Sequence, residues 1–123
     1  MKSSGKVERR KFDRFPAPRN KCYVFDHDTT EMAVIKDIGK GGLKLEYAPT
    51  ADMKTDWKMV DIFTQNDKQF YLLEIPCKLI YDIISLAEGY TFSGSKIRIA
   101  GLNFETLTKE QMKKIEALLD TLS

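Results

Sequence analysis

The strongest constraint in this 123-residue chain is a run of alternating residues: Tyr71, Leu73, Ile75, Cys77, Leu79 and Tyr81. Side chains two apart share one face of a β-strand, so these six predict a single apolar stripe along one long strand. Glu74, Lys78 and Asp82 fall on the opposite face. Pro76 interrupts the run and has no N–H for a ladder, which predicts an edge position or a bulge there. A strand this long needs partners on both sides to satisfy its backbone, and the rest of the chain supplies them.

Cys22-Tyr23-Val24-Phe25 and Met32-Ala33-Val34-Ile35 are rich in β-formers and are joined by a polar turn from Asp26 to Glu31. Gly39, Gly41 and Gly42 mark a sharp turn before the alternating run Leu43-Lys44-Leu45-Glu46-Tyr47. Residues 48–56 read as a polar loop, Trp57 to Thr64 as a further strand, and Gln65-Asn66-Asp67-Lys68 as its hairpin connection. Residues 84–96 read as a loop or weak hairpin, and Ile97 to Phe104 as a last strand kinked at Gly101.

The C-terminus changes period. Thr108 and Gln111 have the spacing of a capping box, and Leu107 and Met112 that of a hydrophobic staple. Met112, Ile115, Leu119 and Leu122, with Leu118 beside them, predict one apolar face on a helix over about 108–122. Together these elements predict an all-β domain, a six-stranded antiparallel barrel closed or nearly closed, with one C-terminal helix.

At 42% hydrophobic and 31% charged, the chain can fill one small core and is neither disordered nor fibrous. No stretch reaches the roughly 18 apolar residues of a membrane-spanning helix, and no secretory signal stands at the start, so a cytoplasmic domain is expected. Two distant cysteines, Cys22 and Cys77, predict reduced thiols in strands. The single histidine, His27, lies between Asp26 and Asp28 in a turn and lacks the further ligands a metal would need. No nucleophile elbow or phosphate loop is present, so no catalytic residue, metal or cofactor is expected.

A net charge of +2 conceals an uneven distribution. Residues 1–21 hold eight basic and two acidic side chains, whereas the remaining 102 hold twelve basic and sixteen acidic. A basic arm over residues 1–19 therefore precedes a mildly acidic barrel domain over 20–123, and the asymmetry favours an anionic partner. Phe15-Pro16-Ala17-Pro18 should keep the arm extended where it meets the domain.

Within the arm, Arg10-Lys11-Phe12-Asp13-Arg14 has an Arg-x-x-x-Arg spacing preceded by Arg9. Asp37-Ile38-Gly39-Lys40-Gly41-Gly42 occupies a turn between strands. Guanidinium groups bind phosphate bidentately and stack on purines, and a carboxylate can accept both donors of a guanine edge. Glycines let the backbone approach a flat ligand closely.

The order and setting of these motifs resemble the PilZ domain family, whose members carry Arg-x-x-x-Arg followed by Asp/Asn-x-Ser-x-x-Gly at a strand turn. Ile99-Ala100-Gly101-Leu102-Asn103-Phe104 ahead of the helix adds to the likeness, which runs from about Glu8 to the C-terminus. The resemblance implies a six-stranded PilZ-like split barrel and a ligand, the bacterial second messenger cyclic di-GMP. It assigns Arg10 and Arg14 to phosphate grip and guanine stacking, Asp37 to a guanine edge, and Gly42 to close approach. Arg9, directly before the motif, resembles the type that binds two intercalated ligands.

One position departs: Gly39 stands where the family has serine. Loss of one hydroxyl hydrogen bond costs about 0.5–1.5 kcal/mol, up to roughly tenfold in affinity. The expected function is a signalling receptor or adaptor that changes its surface for an unidentified downstream protein. The alternative is a PilZ-fold protein–protein interaction module that binds no nucleotide. Binding to RNA or DNA is disfavoured, because an exposed aromatic platform is lacking.

Overall fold

The structure, a computed structural model, describes residues 14–17, 21–49, 55–65, 69–85 and 96–122. The strands are β1 (Arg14–Pro16), β2 (Cys22–Asp26), β3 (Met32–Gly39), β4 (Gly42–Tyr47), β5 (Met59–Gln65), β6 (Gln69–Ile84) and β7 (Arg98–Phe104), followed by helix α1 (Lys109–Leu122). All pairings are antiparallel, in the order β3-β2-β5-β6-β7-β4, and β4 pairs back onto β3. The six strands β2 to β7 therefore form a closed barrel, as the sequence predicts. Closure leaves no long open edge among them.

β1 is an addition. It lies beside the C-terminal end of β3, Arg14 opposite Gly39 and Pro16 opposite Asp37, while β2 holds the other end of the same flank. Residues 14–16, expected as part of a basic arm, thus belong to the sheet, and Phe15 packs against the core. Pro16 and Pro18 explain why β1 and β2 do not run on as one strand.

The barrel interior is filled by Val24, Ile35, Ile38, Leu43, Leu45, Ile62, Leu72, Ile75 and Leu102, each essentially inaccessible. Cys22 and Cys77 are free and buried, and burial pushes the Cys77 thiol up to about 12. Trp57 is fully buried before β5 with φ 54°, and its ring meets Tyr47 edge-on at 5.2 Å. The Tyr47 hydroxyl donates to Asp82 Oδ2 at 2.6 Å, and Arg98 Nε donates to Asp82 Oδ1 at 2.7 Å. Burial and the Asp82 bond push the Tyr47 phenol up to about 12.

The predicted apolar stripe on β6 requires correction. Leu72, Ile75 and Cys77 are buried, but Tyr71, Leu73 and Tyr81 are 55%, 61% and 40% exposed. The cause is two β-bulges. Val60 pairs with Ile75 and Ile62 with Leu72, so β6 spends an extra residue at Leu73-Glu74, where Glu74 has φ 56°. Leu79 pairs with Leu102 and Tyr81 with Gly101, which leaves Ile80 as a second extra residue. Each bulge reverses which parity faces inward. The bulge that Pro76 predicts is present nearby; β6 itself is interior, between β5 and β7. At Gly101, where a kink is expected from sequence, the β6–β7 ladder is irregular because β6 carries Ile80 as an extra residue between Leu79 and Tyr81.

Tyr71 instead pairs with Phe63 on the outside, ring centroids 4.8 Å apart. Helix α1 begins with the predicted capping box: the Gln111 N–H donates to Thr108 Oγ1, and the Thr108 N–H donates to Gln111 Oε1, both at 3.0 Å. Gln111 Nε2 also donates to the carbonyls of Leu73 and Glu74, so the cap is tied to the first bulge. Ile115, Leu118 and Leu119 are buried, whereas Met112, expected on that face, is 51% exposed.

No cluster of side chains that could hold a metal ion occurs among the described residues, and His27 instead faces Asp61. Its Nδ1 lies 3.0 Å from Asp61 Oδ2, and Asp61 Oδ1 accepts the Glu74 N–H at 2.8 Å. The Asp61 hydrogen bond, then its charge, raises the His27 pKa above its ordinary 6.5. Stability from this pair is therefore complete below pH 6.5 and is lost as pH rises through the higher folded value. An NMR titration of His27 should give a midpoint above 6.5, and Asp61→Asn should move it down.

Candidate ligand-binding site

The charged residues of interest gather on the outer surface of the barrel where β1, β3 and β4 meet. β3 would place Asp37 in the core if its alternation were regular, since Ala33 and Ile35 face inward. A bulge prevents this: Ile35 pairs with Leu45 and Asp37 with Lys44, leaving Lys36 as the extra residue. Ile38 then takes the core position at 0% exposure, and the Asp37 side chain emerges at 17%. The bulge delivers the carboxylate to the surface.

Arg14 reaches Asp37 diagonally across the β1–β3 pair. Its direct partner is Gly39, which has no side chain to block the path. Arg14 Nη1 donates to Asp37 Oδ1 at 2.9 Å. Lys44 Nζ stands 3.7 Å from Asp37 Oδ2, so one carboxylate is flanked by two cations. Beside them Lys36 Nζ pairs with Glu46 Oε1 at 3.0 Å. Three cations and two carboxylates leave this face with a positive excess, suited to an anion.

Of the residues singled out in sequence, the structure brings Arg14, Asp37 and Gly39 together. Arg9 and Arg10 lie outside the described residues. Gly42 is buried, and a Cβ there would stand 2.1 Å from the Leu102 carbonyl oxygen. The close approach that Gly42 permits is therefore between β4 and β7. Lys44 was not singled out, because only the β3–β4 register places it against Asp37.

On the other side of the Lys40-Gly41 turn lies an open cleft of about 490 Å³, lined by Phe104, Leu107, Met112 and Ile115 from the β7–α1 corner. Lys40 Nζ approaches Glu116 to 3.7 Å across it. Neither Arg14 nor Asp37 contributes to this cleft.

The PilZ domain family model matches residues 8–121. This chain belongs to the PilZ domain family. Among solved structures, it is similar to the PilZ domain of YcgR from Escherichia coli with c-di-GMP, at TM-score 0.67 and 12% identity over 94% of this chain and 92% of that one. It is also similar to a MrkH–c-di-GMP complex from K. pneumonia, at TM-score 0.65 and 21% identity over 94% of this chain. MrkH in its apo state gives TM-score 0.60 and 16% identity. This PilZ chain spans 53% of the MrkH chain in the complex, so the likeness there is to part of a longer protein. At these identities the likeness establishes the shared fold. No match to a curated protein was found.

Because the atom opposing a Cβ at Gly42 is backbone, it cannot move aside cheaply. Gly42→Ala is expected to destabilise this PilZ domain by about 1–3 kcal/mol, read from chemical denaturation.

Proposed function

We propose that this chain is a receptor for cyclic di-GMP, binding it through Arg9, Arg10 and Arg14 with the turn containing Asp37, Gly39 and Gly42. The observation that carries the reading is the Arg14–Asp37 pair on the outer barrel face. A bulge and a glycine hold a carboxylate beside a guanidinium, with Lys44 alongside. Asp37 retains acceptor capacity beyond the one bond to Arg14, and a guanine edge can offer it both N1–H and the exocyclic amine. Arg14 and Arg10 can each take phosphate in a forked, charge-assisted contact. The family match and the resemblance to domains solved with c-di-GMP support the same ligand.

Ligand held between the basic arm and this face alters the surface shown to a downstream protein, in the cytoplasm and without catalysis by this chain. No helix among the described residues is long and apolar enough to cross a membrane. Arg9 favours two intercalated ligands per chain, whose four phosphate charges are covered by the basic excess of six over residues 1–21. A second reading, a PilZ-fold interaction module without nucleotide, draws on Gly39, which offers no hydroxyl where the family serine would.

Titration calorimetry separates the two. Heat is expected with cyclic di-GMP and not with GMP or GTP, at two ligands per chain. Arg10→Ala and Arg14→Ala should each abolish it. Absence of heat at high micromolar ligand favours the interaction module, and a stoichiometry of one contradicts the role given to Arg9. Gly39→Ser should tighten binding by up to about tenfold through the added hydroxyl; weaker binding would show that the position needs glycine, to leave Arg14 its path to Asp37.

A further inference from the structure

The apolar stripe of α1 runs past the part of the barrel that covers it. Ile115, Leu118 and Leu119 are buried, but Met112, one turn earlier on the same stripe, is 51% exposed. Met112 and Ile115 form one wall of the open cleft of about 490 Å³, and Phe104 and Leu107 form another. Its rim is acidic on balance, with Glu105 and Glu116 against Lys40.

The register shows which part of the chain arrives there. β1 and β3 are antiparallel, and Arg14 lies opposite Gly39, the last residue of β3. The chain therefore enters β1 from the side on which β3 continues into Lys40 and Gly41, both of which line the cleft. Helix α1 contacts β1 and β3, so this entry lies beside the helix. Continued by two residues, the register would set Asp13 opposite Lys40 and Phe12 opposite Gly41. At about 3.4 Å per residue, Phe12 would then stand about 7 Å from Arg14.

The segment has the chemistry to fit. Phe12 is the one aromatic residue among residues 1–13, and Arg9, Arg10 and Lys11 precede it. Its ring could cover Met112 beside Phe104, while the three cations oppose Glu105 and Glu116. Asp13 would meet Lys40, whose partner Glu116 is 3.7 Å away.

We propose that the cleft beneath α1 is the docking site of this chain's own residues 9–13, with Phe12 inserted and the cations set against Glu105 and Glu116. Docking and ligand then compete for the arm. The cleft and the Asp37 face lie on opposite sides of the Lys40-Gly41 turn, so Arg10 cannot hold a carboxylate on one and a phosphate on the other. The competition rests on the reading of the chain as a cyclic di-GMP receptor; the docking does not. A docked fraction of about nine tenths holds the apparent affinity about tenfold below its intrinsic value.

The test uses the full chain. Without ligand, NOEs are expected from the Phe12 ring protons to the Met112 and Ile115 methyls, and a mixture of labelled and unlabelled chains should place them within one chain. Their absence overturns the proposal, and NOEs between chains overturn it in favour of a second copy in the cleft. Cyclic di-GMP should weaken these NOEs while the Arg14 and Asp37 amides shift. Phe12→Ala should tighten ligand binding about tenfold. Glu105→Gln combined with Glu116→Gln should tighten it at low salt, where exposed charges are least screened. Should Phe12→Ala fail to fold, the native NOEs and the glutamate variant decide. Phe12 NOEs that persist unchanged in the ligand complex, or weaker ligand binding by Phe12→Ala, overturn the competition. No binding of cyclic di-GMP by the native chain overturns the receptor reading, while the Phe12 NOEs still uphold or overturn the docking.

Discussion

Six strands close into a ring only if the long ones bend, and in this domain the bending is done by three β-bulges. Lys36 on β3, the Leu73-Glu74 pair on β6 and Ile80 on β6 are each extra against their partners. A bulge bends its strand and increases local twist, which is what a sixteen-residue strand needs in order to pair with β5 along its first half and β7 along its second. The same bulges reverse the inward parity. They decide which side chains fill the core and which decorate the outer wall.

The site is a consequence of that choice. The Lys36 bulge exchanges Asp37 for Ile38 at the core, so a carboxylate is held at the surface. Its partner comes from β1, a three-residue strand that occupies the flank of β3 beyond the reach of β2. Gly39 and Gly42 serve different ends in this arrangement. One leaves space for Arg14 to cross to Asp37, and the other lets β4 pack tightly on β7.

Most of the fold was legible in the sequence. Alternation located the strands, the glycine run located the β3–β4 turn, and the Thr108–Gln111 spacing located the helix start, since each is a local property of the chain. Facing was less legible, because a bulge leaves no fixed local signature. Tyr71, Leu73 and Tyr81 read as core by alternation and proved to be outside. In the site, Arg14 and Asp37 were legible as motif residues, while Lys44 was not. Its relation to Asp37 exists only through the pairing of β3 with β4.

The central claim is that the outer face around the Arg14–Asp37 pair is where ligand binds. Backbone amide shifts recorded during addition of cyclic di-GMP test it most directly. The account predicts the largest changes at residues 14, 15, 37–42 and 44, with the His27 turn on the far flank of β2 unmoved. Changes concentrated in the cleft beneath α1, around Phe104 and Met112, with residues 14, 15 and 37 silent, would contradict it.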